Sequence, residues 1–579
     1  MFRLRRFLKD YKLQLIIGPI CKLIEAVFEL FIPVITADII DTGVRNNDVG
    51  YVMQKGALMV LLGALGLGFA LVCQKSASVA SQGFGTKVRS AMFRHINTLS
   101  HSELDKLGTP SLITRLTNDV NRLQLAVAML IRLVIRAPFL VIGALIMAMT
   151  IDLKLSLIFF AAALLIGLVL FFVMTRSVPF YKRIQKSLDS VSLISRENLS
   201  GNRVIRAFSR QQDDKERFDG CNAELAGTAV RAGRLSALLN PLTYVIAQAA
   251  IIAIVWFGAG FVFDGELKTG EIIALVNYMT QILLAMIVVS NLVVIFTNAA
   301  ASAARVNEVF DTGTSVVEKV EKENTVTEEV KGAPSVEFRD VSFGYTGSGY
   351  AVKDLTFTME KGSTTGIIGG TGSGKSTLVN LIPRFYDASE GQVLVDGIDV
   401  KDYSFAQLRG KIGIVPQKAE LFSGTIKDNL RFGKRDATDL DIERALKISQ
   451  SYEFVSKLPE GTDKLITAGG KNLSGGQRQR LTIARALVGQ PEILILDDSA
   501  SALDFATDAA LRKALHDETK GMTVIMVSQR VGTVRYADKI IVLDGGEIAG
   551  IGAHNDLFRT CGVYREICLS QLRAEEVEN

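Results

Sequence analysis

The sequence is poor in the residues that build metal centres and disulfide frameworks. Its 579 residues include four histidines and five cysteines. Cys21, Cys73, Cys221, Cys561 and Cys568 are odd in number and scattered, with no CxxC pair and no histidine at ligand spacing. That pattern excludes a thiolate zinc module and predicts reduced, structural thiols. A strong charge of one sign is also missing. The net charge of +5 is small for this length, and it argues for neither a nucleic-acid groove nor an acidic partner. No internal repeat of fixed period occurs. The opening MFRLRRFLKDYK is basic and runs into an apolar stretch, but that stretch carries charges and lacks an AxA-like cleavage site. A retained cytoplasmic anchor helix is expected there, not a cleaved leader. The single tryptophan, Trp256, and the phenylalanines are expected in lipid-facing or core positions.

What the chain has in abundance is apolar length. Hydrophobic residues make up 48% of it and the mean hydropathy is +0.28, too apolar for an ordinary soluble enzyme and too long for one domain. Crossing a bilayer takes roughly 20 mostly apolar residues. Six such windows occur, near 14–40, 52–82, 126–150, 153–176, 237–263 and 270–298. The connection after the second carries Lys87, Arg89, Arg94, Lys106, Arg115 and Arg122, and that after the fourth carries Arg203, Arg206 and Arg210. The short connections hold little beyond Arg45, Lys154 and Lys268. The positive-inside bias therefore predicts that both long loops and both termini are cytoplasmic. Apolar residues keep helical spacing through SELDKLGTPSLITRLTNDVNRLQLAV, so these loops are expected to extend the spans as helices. A transmembrane domain is predicted over 1–310 and a polar linker over 311–334. Over 335–579, strand-like runs (SVEFRDVSFGY, TTGIIGG, KIGIVPQ, EILILDD, TVIMVSQ, KIIVLDGGEIAG) alternate with helical ones, the pattern of an α/β nucleotide-binding domain.

Three motifs in that second domain carry chemistry. In TTGIIGGTGSGKSTLVNLI, the residues Gly369, Gly370, Thr371, Gly372, Ser373, Gly374, Lys375 and Ser376 stand in GxxxxGK[ST] register, followed by Thr377, between an apolar strand and an amphipathic helix. Glycines let backbone N–H groups converge on phosphates at a helix N-terminus, the lysine supplies a point charge, and the serine hydroxyl suits magnesium. Downstream, EILILDDS is an apolar strand ending in Asp497, placed to orient magnesium from a strand's carboxyl end. Between them NLSGGQRQRLTIARAL sets Ser474, Gly475, Gly476 and Gln477 before a basic amphipathic helix, again an offer of N–H groups and a helix dipole to phosphate.

LSGGQ at 473–477, after a phosphate loop and directly before a Walker B strand, resembles the signature of ABC transporters, specifically exporter-type half-transporters, over essentially the whole chain. The resemblance implies a multidomain membrane protein: an all-α six-helix transmembrane domain with long cytoplasmic helical extensions, plus an α/β P-loop ABC ATPase domain. It implies that Tyr345 stacks on adenine, that Gln417 is the Q-loop glutamine between magnesium and the membrane domain, and that Asp504 ends the D-loop. It also implies two ATP molecules with Mg2+, each held between one chain's Walker motifs and the LSGGQ of a second half-transporter. Short coupling helices, near 102–110 and 206–216, are expected to dock on the nucleotide domains.

Two positions depart from the family pattern. The glutamate that normally follows the Walker B aspartate, and polarises the attacking water, is Asp498; the switch histidine at the end of the next strand is Gln529. Proton-transfer catalysis is worth roughly 10² to 10⁴ in rate and depends on fine placement, so a carboxylate one methylene short is expected to slow hydrolysis, and glutamine has no titratable ring nitrogen. With LSGGQ intact, the pair favours a heterodimer in which this chain completes its partner's competent site. A homodimeric exporter or an ATP-gated channel are the alternatives. In the first window Lys22, Glu25 and Glu29 share one helical face. Charges at the bilayer centre cost at least about 2.5 kcal/mol, so these three are candidate substrate contacts or, equally, an internal ion-pair set. Arg132 and Arg136 are expected to snorkel to the interface. The transported substrate is not legible; a multi-pass plasma-membrane location, in a bacterium, fits the length.

Overall fold

The computed structural model describes residues 2–318, 330, 332–345 and 349–571. Half of the linker expected at 311–334 lies outside them, at 319–329 and 331. The chain divides into two compact units, one of Met1–His95 with Pro110–Asp311, the other of Ile96–Thr109 with Thr312–Asn579.

The first unit is built from helices α1 (Lys12–Asp38), α2 (Val49–Ile96), α4 (Thr109–Thr114), α5 (Val120–Met129), α6 (Arg136–Ile151), α7 (Leu153–Ala207), α8 (Gln211–Ala237), α9 (Leu239–Phe263) and α10 (Thr269–Asp311), while α3 (His101–Leu107) belongs to the second unit. At 1.5 Å per residue, the 48 residues of α2 and 55 of α7 far exceed a hydrocarbon core of roughly 30 Å, so these helices run on well past a span, as the sequence predicted. Among the described residues, five helical stretches are long and apolar enough to cross a membrane: Val49–Ile96, Thr109–Ile151, Leu153–Ala207, Gln211–Phe263 and Thr269–Asp311. The first predicted span, α1, is 27 residues long but is not one of the five, because Lys22, Glu25 and Glu29 sit in its middle.

The helices meet through small side chains. Ala26, Ala144, Ala148, Ala162 and Ala274 are buried in one cluster with Phe159, Ile254 and Met279. Where lipid competes for apolar surface, such residues let helix backbones approach closely. Tyr278 closes the cluster by donating its hydroxyl to the Leu30 carbonyl oxygen of α1 at 2.6 Å. The opposite faces are apolar and exposed, with Leu157, Phe160, Leu164, Leu168 and Phe171 of α7 all outward. An apolar surface of that extent requires lipid cover. Asp152 starts α7 by accepting the Leu155 N–H at 2.6 Å. Between α7 and α8 the chain turns over Phe208–Arg210, with Ser209 at φ +54°. The segment 206–216, where a second coupling helix was expected, therefore comprises the end of α7, this turn and the start of α8, with no separate short helix.

The second unit has two main sheets. Strands β1 (Val336–Phe343), β2 (Val352–Met359), β4 (Glu390–Val395) and β5 (Ile398–Asp399) form an antiparallel sheet in the order β2-β1-β4-β5. Strands β3 (Thr364–Gly369), β6 (Ile412–Val415), β9 (Ile493–Asp497), β10 (Thr523–Ser528), β11 (Lys539–Asp544) and β12 (Glu547–Gly552) form the other, ordered β12-β11-β3-β10-β9-β6. A short pair, β7 (Gly424–Thr425) and β8 (Leu465–Ile466), stands apart. Five strands of the larger sheet run parallel. Residues 493–497 and 523–528 are buried throughout, as parallel strands covered on both faces require. One apolar cluster fills the space between the two sheets and a second lies under the helices beside β6 and β9.

Helix α3 packs within this unit. His101 stacks on Phe385 with ring centroids 4.6 Å apart, and Asp105 accepts the Tyr386 hydroxyl at 3.2 Å. The segment expected to act as the first coupling helix thus touches the turn that follows the phosphate-loop helix Lys375–Leu381.

Candidate functional site

The order of the parallel strands decides where the motif residues meet. Strand β3 is flanked by β10, and β10 by β9 and then β6. The loops leaving their carboxyl ends carry Gly370–Gly374, Gln529, Asp497–Asp498 and Gln417. Four segments separated by up to 160 residues of chain therefore converge on one crevice, where open parallel sheets hold ligands.

The phosphate loop has the backbone shape its glycines allow. Gly372 and Gly374 have φ of +82° and +92°, open to glycine without steric cost. A Cβ on Gly374 would lie 2.6 Å from Val352 Cγ1, and one on Gly369 would collide with the Leu543 carbonyl oxygen. Lys375, 8% exposed, donates from Nζ to the carbonyl oxygens of Gly369 and Gly370 at 2.9 and 2.6 Å and to Ser373 Oγ at 3.3 Å. Burial lowers its pKa, opposed by the charges of Asp498 and Asp497. A cation held by loop carbonyls in a desolvated cradle gains from a phosphate's negative charge. Ser376 donates to Asp497 Oδ1 at 3.0 Å, which joins the two groups expected to serve magnesium. Burial raises the Asp497 pKa, and the Ser376 hydrogen bond opposes it. Paired oxygen donors at a strand end fit a hard divalent cation.

The substituted positions lie beside this cradle. Gln417 Nε2 donates to Asp498 Oδ2 at 3.4 Å, and Thr371 Oγ1 is 3.5 Å from Gln529 Oε1. Asp498 has φ +46°, left-handed backbone that aspartate tolerates better than glutamate does. Its N–H donates to the Val527 carbonyl at 2.9 Å, locking β9 to β10 at the site. Tyr345, half-exposed, packs edge-on against Phe343 and Tyr386 and hydrogen-bonds Thr377 Oγ1 at 3.1 Å, presenting a ring beside the phosphate-loop helix.

The remaining predicted residues cap helices. Ser474 caps Gly475–Leu487 in a capping box with Gln477: the Gln477 N–H donates to Ser474 Oγ and the Ser474 N–H to Gln477 Oε1. Asp504 caps Phe505–Glu518, and its pKa is lowered chiefly by the Thr507 backbone N–H. Among the described residues, Ser474 and Asp504 make their side-chain hydrogen bonds within their own caps and not to the phosphate loop. The hollow lined by Leu440, Arg444, Lys447 and Lys513 contains none of these residues.

Comparison with known proteins agrees with this geometry. The family model of the ABC transporter transmembrane region matches residues 15–286 and that of the ABC transporter matches 352–501. The ABC transporter ATP-binding protein YfiB of Bacillus subtilis (strain 168) is 36% identical over 574 residues, covering 99% of each chain. This chain belongs to the ABC transporter family. An ATP-dependent lipid A-core flippase of Vibrio parahaemolyticus is 30% identical over 567 residues, 98% of this chain and 96% of that one. A bacterial Atm1-family ABC exporter solved with ATP bound shares the fold, with a TM-score of 0.79 at 24% identity over 98% of this chain and all of that one. The ABC transporter described here therefore binds ATP, couples its hydrolysis to transport, and has the exporter arrangement of membrane and ATPase domains on one chain. Such exporters work as dimers in the lipid bilayer.

In the membrane unit the charged triplet resolves into pairs. Lys22 Nζ meets Glu25 at 2.7 Å, and Glu29 accepts from Arg136 Nη2 of α6 at 2.6 Å. Arg136 was expected to snorkel; it turns inward because Glu29 offers a partner where lipid offers none. One residue of the ATPase crevice has no motif to announce it. Gln571, in the helix Gly562–Gln571, hydrogen-bonds the backbone on both sides of Arg530.

Proposed function

We propose that this transporter chain is the half of a heterodimeric exporter whose own Walker site holds ATP and hydrolyses it slowly. The observation that carries this is the pairing of Asp498 and Gln529 in one crevice with an otherwise complete phosphate loop and an intact, capped Ser474–Gln477. In this assignment the backbone N–H groups of Gly370–Ser376 and the Lys375 ammonium receive the phosphates, Tyr345 takes the adenine face, and Gln417 and Gln529 report on the phosphate end. Ser376, Gln417 and Asp497 hold Mg2+, which supplies charge neutralisation on the phosphates. Asp498 sits where a water would be oriented, with a carboxylate too short to reach as far as glutamate. Ser474–Gln477 and Asp504 serve the partner's site in trans.

In the same proposal α1 completes a set of six spans. Its Lys22–Glu25 and Glu29–Arg136 pairs lower the cost of charge in the bilayer and mark the interior side on which a small or amphipathic substrate would contact Lys22, Glu25 and Glu29. Both termini and the ATPase domain face the cytoplasm, as the basic residues of the long loops favour. ATPase activity measured on the purified chain alone and together with its partner tests the reading. Slow turnover alone and fast turnover together are expected. Fast turnover by the chain alone would instead establish the homodimeric exporter, and single-channel current in a planar bilayer would favour an ATP-gated channel.

A further inference from the structure

We propose that Gln571 is a positioning residue for Gln529, so that the C-terminal helix sets the switch loop of the ATPase site. The inference rests on the assignment of Gln529 to the phosphate end of the crevice. Strand β10 ends at Ser528, and among the described residues the backbone of 529–531 has no ladder partner. Gln571 supplies one: its Nε2 donates to the Gln529 carbonyl at 2.7 Å and its Oε1 accepts the Val531 N–H at 2.9 Å. Because one backbone partner is a pure acceptor and the other a pure donor, the amide has a single orientation that satisfies both. The rest of the loop is held by Arg530, whose N–H donates to Ser528 Oγ at 3.0 Å and whose Nη2 donates to the Ser501 carbonyl at 3.2 Å.

The helix bearing Gln571 is a rigid support. Tyr564 and Cys568 are fully buried and pack with Val531, Val534 and Leu557. Tyr564, Cys568 and Gln571 recur at i, i+4 and i+7, which puts them on one helical face. The first two anchor that face in the core and the third brackets the loop. A glutamine at this place does what neither alanine nor glutamate does: alanine leaves both backbone groups open, and a carboxylate accepts from Val531 but cannot donate to the Gln529 carbonyl.

Single-turnover hydrolysis of radiolabelled ATP by the full-length chain in lipid nanodiscs, with binding of a fluorescent ATP analogue measured in parallel, tests the proposal. Gln571→Ala and Gln571→Glu are each expected to slow hydrolysis roughly five- to thirtyfold, the range that one or two lost hydrogen bonds spans, with analogue affinity within about twofold. Gln529→Ala is expected to do the same, and the double variant Gln529→Ala/Gln571→Ala no more than either, because the two act as one unit. Deleting residues 572–579 should leave hydrolysis unchanged, and deleting 571–579 should reproduce Gln571→Ala. If Gln529→Ala is slow but Gln571→Ala matches the parent, or if the two losses add, the positioning role is refuted while the assignment of Gln529 stands. If Gln529→Ala itself has no effect, both fall. Retained analogue binding shows that a slow variant is folded.

Discussion

Replacing Asp498 by glutamate moves the carboxylate about one C–C bond, roughly 1.5 Å, further into the crevice, toward the side where Gln417 Nε2 now lies 3.4 Å from Oδ2. Positioned proton transfer contributes roughly 10² to 10⁴ in rate, about 2.7 to 5.4 kcal/mol of barrier at 1.36 kcal/mol per decade. That sets the ceiling for what Asp498→Glu recovers. Two features of the structure hold the gain below it. Asp498 sits at φ +46°, where a residue other than glycine, asparagine or aspartate costs roughly 1 to 2 kcal/mol, so the glutamate is strained unless the 497–499 backbone relaxes. Gln529 still stands in the switch position, 3.5 Å from Thr371 Oγ1. A gain of about tenfold from Asp498→Glu alone is therefore expected, and about a further tenfold from adding Gln529→His, against that two- to four-decade ceiling. The assay is phosphate release from saturating ATP by the chain alone in nanodiscs, so that no competent partner site contributes. If the parent already turns over as fast as the double variant, the shortened carboxylate is not what limits hydrolysis and the degenerate-site proposal fails.

Four further outcomes follow from the same structure. Lys375→Ala removes the charge cradled by Gly369 and Gly370 and is expected to abolish binding of a fluorescent ATP analogue without lowering the melting temperature, since burial already disfavours that charge in the fold. Arg136→Ala leaves Glu29 with no ion-pair partner in a half-buried position; a destabilisation between the ~1 kcal/mol of an exposed pair and the ~3 to 5 kcal/mol of a buried one is expected, read as a lower thermal midpoint in detergent, and Glu29→Gln/Arg136→Gln should recover part of it. His101→Ala removes the ring stacked on Phe385 and is expected to reduce stimulation of ATPase by transported compounds while leaving ATP affinity unchanged. The helix-capping carboxylate of Asp504 has its pKa lowered by the Thr507 N–H. Its contribution to stability is present above the ordinary carboxylate pKa of about 3.9 and is lost as pH falls through the depressed folded value. Thermal midpoints from pH 6 down to pH 3 should therefore fall less steeply for Asp504→Asn than for the parent.

Much of this was legible in the linear chain because the chemistry is local. A phosphate loop is eight consecutive residues, and its glycines, Lys375 and Ser376 take their roles from the backbone between them. Ser474 to Gln477 stand together at the start of their helix. Long apolar windows and the basic residues of the loops need only counting. The strands TTGIIGG, EILILDD and TVIMVSQ announce themselves as continuous apolar runs because parallel strands are buried on both faces. The antiparallel strands β2 and β4, VKDLTFTM and EGQVLV, carry charged and polar residues and hold no long apolar run, so composition does not single them out.

Everything that depends on neighbours remote in sequence was decided by the tertiary fold. That Asp498 lies against Gln417, and Gln529 against Thr371, follows from the strand order β3-β10-β9-β6, which no local pattern encodes. Which partner Glu29 of α1 meets was set by the packing of α6, which brings Arg136 to it. Residues Ile96–Thr109 join the ATPase unit although more than 200 residues of membrane domain separate them from it in the chain. Gln571 was invisible for the same reason: its two hydrogen bonds reach backbone groups about 40 residues earlier, and a side-chain bond to backbone leaves no complementary residue type to find. The sequence by itself determined which groups this ABC transporter has for holding phosphate and crossing lipid. Only the tertiary structure decided which of them face one another, because register between strands and helices is set by how apolar surfaces pack.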